Sequence, residues 1–248
     1  MHHRSLLCFA SLLLVSGLLR PATAGLLHSY DLTSSFNDQL GGPSLTHTGA
    51  LTPGAGYTFA SGQAGLTLSS ALPDPADYSI RMVFELNTLS NGAWSNILNF
   101  HNADHELYDF CGGTDNGATI PCALQLYPDS GGTGAGILAN TFVDLLFTRD
   151  SGTNTVNAWL GNTEVYTSLN DTEGRGIFSD PNNIIRFFQD ENSGTENSPG
   201  TVKLIQIYSG NITPADEVNG LLTATPEPGS YALLGLAALG LGYRRRKR

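Results

Sequence analysis

The clearest ordering of apolar and polar positions in the chain lies at Tyr78-Ser-Ile-Arg-Met-Val-Phe-Glu-Leu86, where Tyr78, Ile80, Met82, Phe84 and Leu86 fall on one face of an extended segment. Side chains of a strand point alternately to its two sides, so this spacing predicts a strand with one buried face. Shorter apolar runs recur at residues 26–32, 56–59, 66–69, 95–101, 123–127, 142–149, 155–160, 164–167, 184–189 and 202–208, separated by Gly, Pro, Asn, Asp and Ser clusters. Helical spacing is nearly absent from this middle region. It is met at Thr213-Pro-Ala-Asp-Glu-Val218, with Thr213 as N-cap, Pro214 at the first position and Asp216 facing the unpaired amides. A succession of short strands with turn residues between them predicts an all-β fold, an antiparallel jelly-roll β-sandwich.

Two longer apolar stretches flank this region. Met1 to Arg4 is a short basic lead, Leu6 to Leu19 an apolar run, and Ala22-Thr23-Ala24 a small-residue cleavage pattern. That order predicts a secretory signal peptide over residues 1–24, removed before Gly25. Near the other end, Tyr231 to Tyr243 is apolar and is followed by Arg244, Arg245, Arg246, Lys247 and Arg248. As a helix this stretch reaches about 20 Å against a hydrocarbon core of about 30 Å, short for a span on its own. Terminal Arg and Lys side chains can snorkel, and the positive-inside rule holds such a tail in the cytoplasm, so a transmembrane helix over 231–243 is expected.

Charge sharpens this division. The 248 residues carry 12 basic and 22 acidic side chains, a net charge of −10. Arg4, Arg20 and the five tail residues account for seven of the basic ones, whereas Glu227 is the one acid in either end. The middle therefore keeps Arg81, Arg149, Arg175, Arg186 and Lys203 against nearly all the acids, which excludes a nucleic-acid partner. A 40% hydrophobic content excludes a disordered chain. Of three cysteines, Cys8 falls in the signal peptide, so Cys111 and Cys122 are left in an oxidising compartment and are expected to pair, closing the Gly-rich loop that starts Cys111-Gly-Gly-Thr-Asp-Asn-Gly.

Pro226-Glu227-Pro228, the apolar segment from Tyr231 and the terminal Arg cluster together resemble the PEP-CTERM sorting signal of Gram-negative bacteria, with Thr225 where Val is more common. The resemblance implies a transient inner-membrane anchor, recognised and cleaved by an exosortase after export by the secretion machinery. It also implies a final place at the cell surface or outside the cell, with extracellular polysaccharide as a partner. The middle carries a second resemblance. Gly65 to Ser69, Tyr78 to Leu86, Asn96 to His101, Val143 to Asp150 leading to Val156 to Leu160, and Gly200 to Ser209 with Ile212 to Glu217 look like successive strands of a laminin-G-like, concanavalin A-like jelly roll. The implied organisation is a signal peptide at 1–24, a jelly-roll domain at 25–222 and a sorting signal at 223–248. Lectins, adhesion modules and glycan-cleaving enzymes share that fold, so it does not settle activity.

Catalytic patterns are missing. The glucanase branch of this fold carries Glu-x-Asp-x-x-Glu, which does not occur, and in His105-Glu-Leu-Tyr-Asp109 the acids Glu106 and Asp109 are three apart and face opposite sides of a strand. There is no Gly-x-Ser-x-Gly elbow and no His-Glu-x-x-His. His101-Asn-Ala-Asp-His-Glu106 holds metal-ligand types but reads as a solvated loop after a strand. Calcium, which takes oxygen ligands from loops, has a better candidate in Asp190, Glu191, Asn192 and Glu196. Trp94, Tyr108 and Tyr127 lie in or next to loops and offer stacking faces for sugar, while Trp159 reads as core. The expectation is an exported, non-catalytic jelly-roll protein that binds carbohydrate or matrix components. A glycan-active hydrolase with carboxylates from separate strands and a purely structural matrix protein stay open. The mature protein is expected to lack its C-terminal tail by intact-mass spectrometry; a mass that still includes Arg248 would overturn the processing.

Overall fold

The computed structural model describes residues 24–61, 65–89, 93–100, 105–111, 114–115, 118–119, 122–128, 136–168, 170–180, 182–189, 196 and 198–218. In chain order the strands are β1 (Leu26–Asp31), β2 (Thr46–His47), β3 (Leu51–Thr52), β4 (Gly56–Phe59), β5 (Leu66–Leu68), β6 (Tyr78–Leu86), β7 (Ala93–Asn99), β8 (Glu106–Cys111), β9 (Thr114–Asp115), β10 (Ala118–Thr119), β11 (Cys122–Leu126), β12 (Val143–Asp150), β13 (Thr155–Leu160), β14 (Thr163–Ser168), β15 (Ile185–Phe187) and β16 (Gly200–Ser209). One helix, α1 (Pro214–Val218), follows. The strands form two large antiparallel sheets and a separate two-stranded ribbon of β9 and β10. The first has the order β14-β13-β12-β6-β16-β4-β3, with β1 also paired to β16; the second has the order β11-β8-β7-β15-β5-β2. The result is an all-β, jelly-roll-like sandwich, as the strand pattern predicts.

The central strand β6 behaves as its alternation requires. Tyr78, Ile80, Met82, Phe84 and Leu86 are all buried. Register places Phe147 and Ile207 on either side of Ile80, and Leu145 and Ile205 on either side of Met82. These rows pack with Leu66, Leu68, Leu98, Leu107, Leu124, Leu126, Ile185 and Phe187 of the second sheet in one apolar core. Strand β16 serves two partners in turn: Gly200 to Val202 pair with β4, and Leu204 to Tyr208 pair with β1. The change falls at a bulge at Lys203, whose carbonyl accepts the Leu32 N–H at 2.8 Å. An inserted residue bends and twists a strand, which lets its two halves meet different neighbours.

The Thr148-Arg149-Asp150 segment at the end of β12 shows why a charged residue belongs there. Asp150 Oδ1 accepts the N–H groups of Gly152 and Thr153 and so closes the β12–β13 turn. Arg149, only 1% exposed, turns inward and its Nε donates to Asp171 Oδ2 at 2.8 Å. Its remaining nitrogens donate to the Ala76 carbonyl, to Asn154 Oδ1 and to the Asp171 carbonyl. Asp171 also takes the N–H groups of Arg175 and Gly176, and the Tyr78 hydroxyl donates to the Gly176 carbonyl. This network fixes the loop that carries Phe178 into the core, against Tyr78 and Phe100 at ring separations of 5.0 and 4.8 Å.

On the far side of the first sheet, Ile212 joins Leu146, Trp159 and Tyr208 in a second apolar cluster, so Trp159 is a packing residue as expected. The Ile212 N–H donates to Ser79 Oγ, and Asp216 Oδ2 accepts both the N–H and the hydroxyl of Thr213, the return half of a capping box. The solvated-loop reading of residues up to Glu106 is corrected: Glu106 opens β8 and is 3% exposed, because β7 and β11 flank that strand on both sides. Residues 101–104 lie outside the described residues, as do the expected signal peptide up to residue 23, the expected helix at 231–243, Pro226, Glu227, Pro228 and the basic tail. Among the described residues no helix is long and apolar enough to cross a membrane.

Removing Asp171 strands a guanidinium inside the sandwich. Asp171→Ala is expected to lower the unfolding free energy by about 3–5 kcal/mol. The Arg81–Asp144 pair is partly exposed, so Asp144→Ala should cost less than about 1 kcal/mol. Urea midpoints at unchanged slope read the difference, and equal losses would refute the assignment.

Candidate functional site

The candidate site grows from the register of β7, β8 and β11. Trp94 lies opposite Phe110, Asn96 opposite Tyr108, and Asn99 opposite Glu106, while Gln125 of β11 faces Tyr108 from the other side. Leu98, Leu107, Leu124 and Leu126 point into the core. The alternating residues Trp94, Asn96, Asn99, Glu106, Tyr108, Phe110 and Gln125 therefore share the outward face of the second sheet. A bulge between Asn96 and Leu98 makes this possible, because without the extra residue Asn96 and Asn99 would face opposite ways.

Tyr127 follows β11 and its N–H donates to the Glu106 carbonyl at 2.8 Å, which continues the β11–β8 ladder and sets Tyr127 opposite Glu106 on this face. The Trp94 ring sits 4.4 Å from Tyr108, 4.9 Å from Phe110 and 5.7 Å from Tyr127, the last edge-on at 77°. Together with Glu106 and Glu196, Trp94 and Tyr127 line a cavity of about 160 Å³. Glu196 is held there by its backbone, since its carbonyl accepts the Asn96 N–H at 2.7 Å.

The polar groups differ in how they are satisfied. Asn99 Nδ2 donates to Glu106 Oε1 at 3.0 Å, and the Tyr108 hydroxyl donates to Gln125 Oε1 at 2.7 Å. Burial, reinforced by Tyr127, Tyr166 and the carboxyls of Glu106 and Glu196, pushes the Tyr108 hydroxyl well above the usual phenol range and keeps it neutral. Asn96 is 1% exposed, and among the described residues neither its Nδ2 nor its Oδ1 has a hydrogen-bond partner. A buried, unpaired amide costs about 1–3 kcal/mol, and beside a cavity it is a place where a ligand's hydroxyl or amine recovers that cost.

The structure thus brings Trp94, Tyr108 and Tyr127 together, and adds Glu196, which the sequence had grouped with calcium ligands. Asp190, Glu191 and Asn192 of that group lie outside the described residues. Asn96, Asn99 and Gln125 were missed, and Glu106 was weighed only as a catalytic acid or as part of a solvated loop. Their signal was the alternation of Glu106, Tyr108 and Phe110 with Leu107, obscured by the polar Asp109 on the inward side. Cys111 and Cys122 face each other across β8 and β11 with their sulfurs at the disulfide distance of 2.04 Å. Asp109 lies beside them, and this is the one grouping of metal-type ligands among the described residues. Sulfurs joined to each other leave no thiolate for an ion.

Residues 224–247 match the model of the PEP-CTERM protein-sorting motif. The chain carries this sorting motif. No curated protein matches the chain. Among solved structures, Domain 4 of AbnA, a GH43 extracellular arabinanase from Geobacillus stearothermophilus in complex with arabinotriose, is similar at a TM-score of 0.51 and 19% identity, over 80% of this chain and 98% of that one. The Trypanosoma rangeli sialidase in complex with sialic acid is similar at a TM-score of 0.57 and 9% identity, over 80% of this chain. The aligned part is 33% of the sialidase, so this chain spans about a third of it. Both likenesses concern the fold.

Asp109 gives the site's scaffold a pH dependence. Burial pushes its carboxyl up to about 6, against the opposing hydrogen bond from the Ile137 N–H. An acid whose folded pKa is raised stabilises the fold fully below its unfolded value near 4, and that contribution is lost as pH rises through about 6. Asp109→Asn keeps the acceptor for Ile137. It is expected to be neutral at about pH 4 and to gain on the order of 2 kcal/mol over the parent protein at neutral pH, read by thermal unfolding at both values.

Proposed function

We propose that the protein is an exported, exosortase-sorted component of the cell surface or extracellular matrix, whose sandwich domain binds saccharide at the cavity lined by Trp94 and Tyr127 without cleaving it. Saccharides are held by aromatic faces beside convergent polar groups. The observation that carries the reading is that combination: Trp94 and Tyr127 lining one cavity with Glu106 and Glu196, the Tyr108 ring packed on both, and Gln125 and Asn96, the latter without a side-chain partner among the described residues, on the same face. The sorting motif supports export and recognition by an exosortase. The laminin-G-like reading of the strands and the arabinotriose-bound neighbour of similar fold are in keeping with a glycan ligand.

A glycoside hydrolase is the second reading, and one observation favours it. Glu106 and Glu196, from separate parts of the chain, line one cavity, and glycoside cleavage uses two carboxyls across the scissile bond.

The purified full chain, kept soluble in mild detergent, is expected to bind members of an oligosaccharide array. Trp94→Ala should weaken that binding about tenfold or more. Leu138→Ala, on an exposed residue that does not line the cavity, should leave it unchanged. No reducing sugar should be released on prolonged incubation. Failure to bind any glycan, or equal binding by Trp94→Ala, would overturn the reading, and reducing-sugar release abolished by Glu106→Gln would replace it with the hydrolase.

A further inference from the structure

Asp109 is a buried acid with no part in the saccharide cavity. It stands two residues before Cys111 on β8, so both side chains lie on the inward side of that strand. Its register partners, Ser95 of β7 and Leu124 of β11, do not ionise, and nor do the bonded cysteines. Asp109 Oδ1 accepts the Ile137 N–H at 3.2 Å, and Oδ2 lies 3.5 Å from Cys111 Sγ. Gly136 closes in behind, where a Cβ would collide with the Cys122 backbone and with Asp109 Oδ1. The carboxyl is 0% exposed, and its free oxygen faces a sulfur. Cys111 and Cys122 are bonded to each other, so that sulfur carries no hydrogen. A hydrogen shared between Oδ2 and Sγ is therefore the carboxyl's own. Burial pushes Asp109 up to about 6, which keeps this proton in place in mildly acidic surroundings.

The two sulfurs also differ in access. Cys111 is buried, whereas Cys122 is partly exposed at the start of the edge strand β11. A thiolate arriving from outside meets Cys122 first, which makes Cys111 the leaving group. A thiolate left in an apolar interior is costly, and a proton delivered as the bond breaks removes that cost. We propose that Cys122 is a site of thiol–disulfide exchange with small thiols, and that Asp109 is the acid that protonates the departing Cys111 sulfur. In this step the incoming thiolate forms a bond to Cys122 Sγ as the bond between the two cysteines breaks. The electron pair leaves on Cys111 Sγ, which takes the Asp109 proton. The products are a mixed disulfide at Cys122, a thiol at Cys111 and a carboxylate at Asp109, with the external sulfur oxidised and Cys111 reduced. Run backwards, the same step closes the hairpin, with the Asp109 carboxylate taking the Cys111 proton.

The test is incubation of the full chain in excess glutathione without denaturant, with Cys8→Ser throughout so that no third cysteine takes part. After an acid quench and alkylation, peptide mass spectrometry is expected to find glutathione on Cys122 and a free thiol at Cys111. This mapping uses the parent protein alone. Rates are then compared with Asp109→Asn across pH, as a ratio in which the ionisation of glutathione cancels. The parent should react about tenfold faster at about pH 5, and the advantage should vanish as pH rises through about 6. A purely structural role gives the opposite trend, because Asp109→Asn stabilises the fold only at the higher pH and would there slow any exchange that needs opening. Glutathione on Cys111, or no adduct in the native protein, would overturn the exchange site. A ratio that stays flat or rises with pH would overturn Asp109 as the acid.

Discussion

The guanidinium of Arg149 is almost wholly removed from water, and it survives there because Asp171, the Ala76 carbonyl and Asn154 take its donors. An unpaired charge at that depth costs several kcal/mol, so the loop bearing Asp171 is obliged to lie where it does. That loop delivers Phe178, which packs on Phe100 directly after β7. The Phe100 N–H in turn donates to the His105 carbonyl at the entrance to β8. A continuous set of contacts therefore runs from one buried ion pair to the two strands that build the cavity. Hydrophobic burial supplies most of the driving force, but it is indifferent to direction; the ion pair is what dictates where the loop sits.

The second constraint is the period of two along β7, β8 and β11. Each strand must give the core its leucines and give the outward face its aromatic and polar groups, and strict alternation alone cannot do this on β7. The bulge there lets consecutive Ile97 and Leu98 both be buried in the core and returns Asn96 and Asn99 to one side, level with Tyr108 and Glu106. One inserted residue thus serves packing and site geometry together. Phe188 shows a comparable compromise after β15. Its φ of +56° is uncommon for a bulky residue and costs about 1–3 kcal/mol, and it is held by stacking on Phe59 and by its N–H bond to the Ile97 carbonyl.

What could be read from sequence follows from the same physics. Strand β6 was legible because its inward residues are all apolar and its outward ones mostly polar. Strand β8 was not, because Asp109 occupies an inward position where an apolar residue is the rule and Glu106 is buried on the outward side. Two-residue strands such as β2 and β3 carry too little pattern to be seen. Trp94, Tyr108 and Tyr127 could be named one by one for their chemistry, yet their meeting depends on the register of β7, β8 and β11. Arg149 was placed at the end of an apolar strand, while its partner 22 residues away was not seen, since no local periodicity links a strand end to a loop acid.

Export and the cavity are joined through the cysteines. Strand β11 is an edge strand whose one sheet neighbour is β8, and it supplies Gln125 and leads into Tyr127. Closing the hairpin between Cys111 and Cys122 removes unfolded-chain freedom worth about 3 kcal/mol and clamps the far end of that pair of strands. In a reducing cytoplasm this clamp is absent, because thiols there are kept reduced. The cavity therefore reaches its braced form only where the sorting motif is directed. There the acidic sandwich, with its few basic side chains already committed to partners, presents surplus carboxyls to the surroundings.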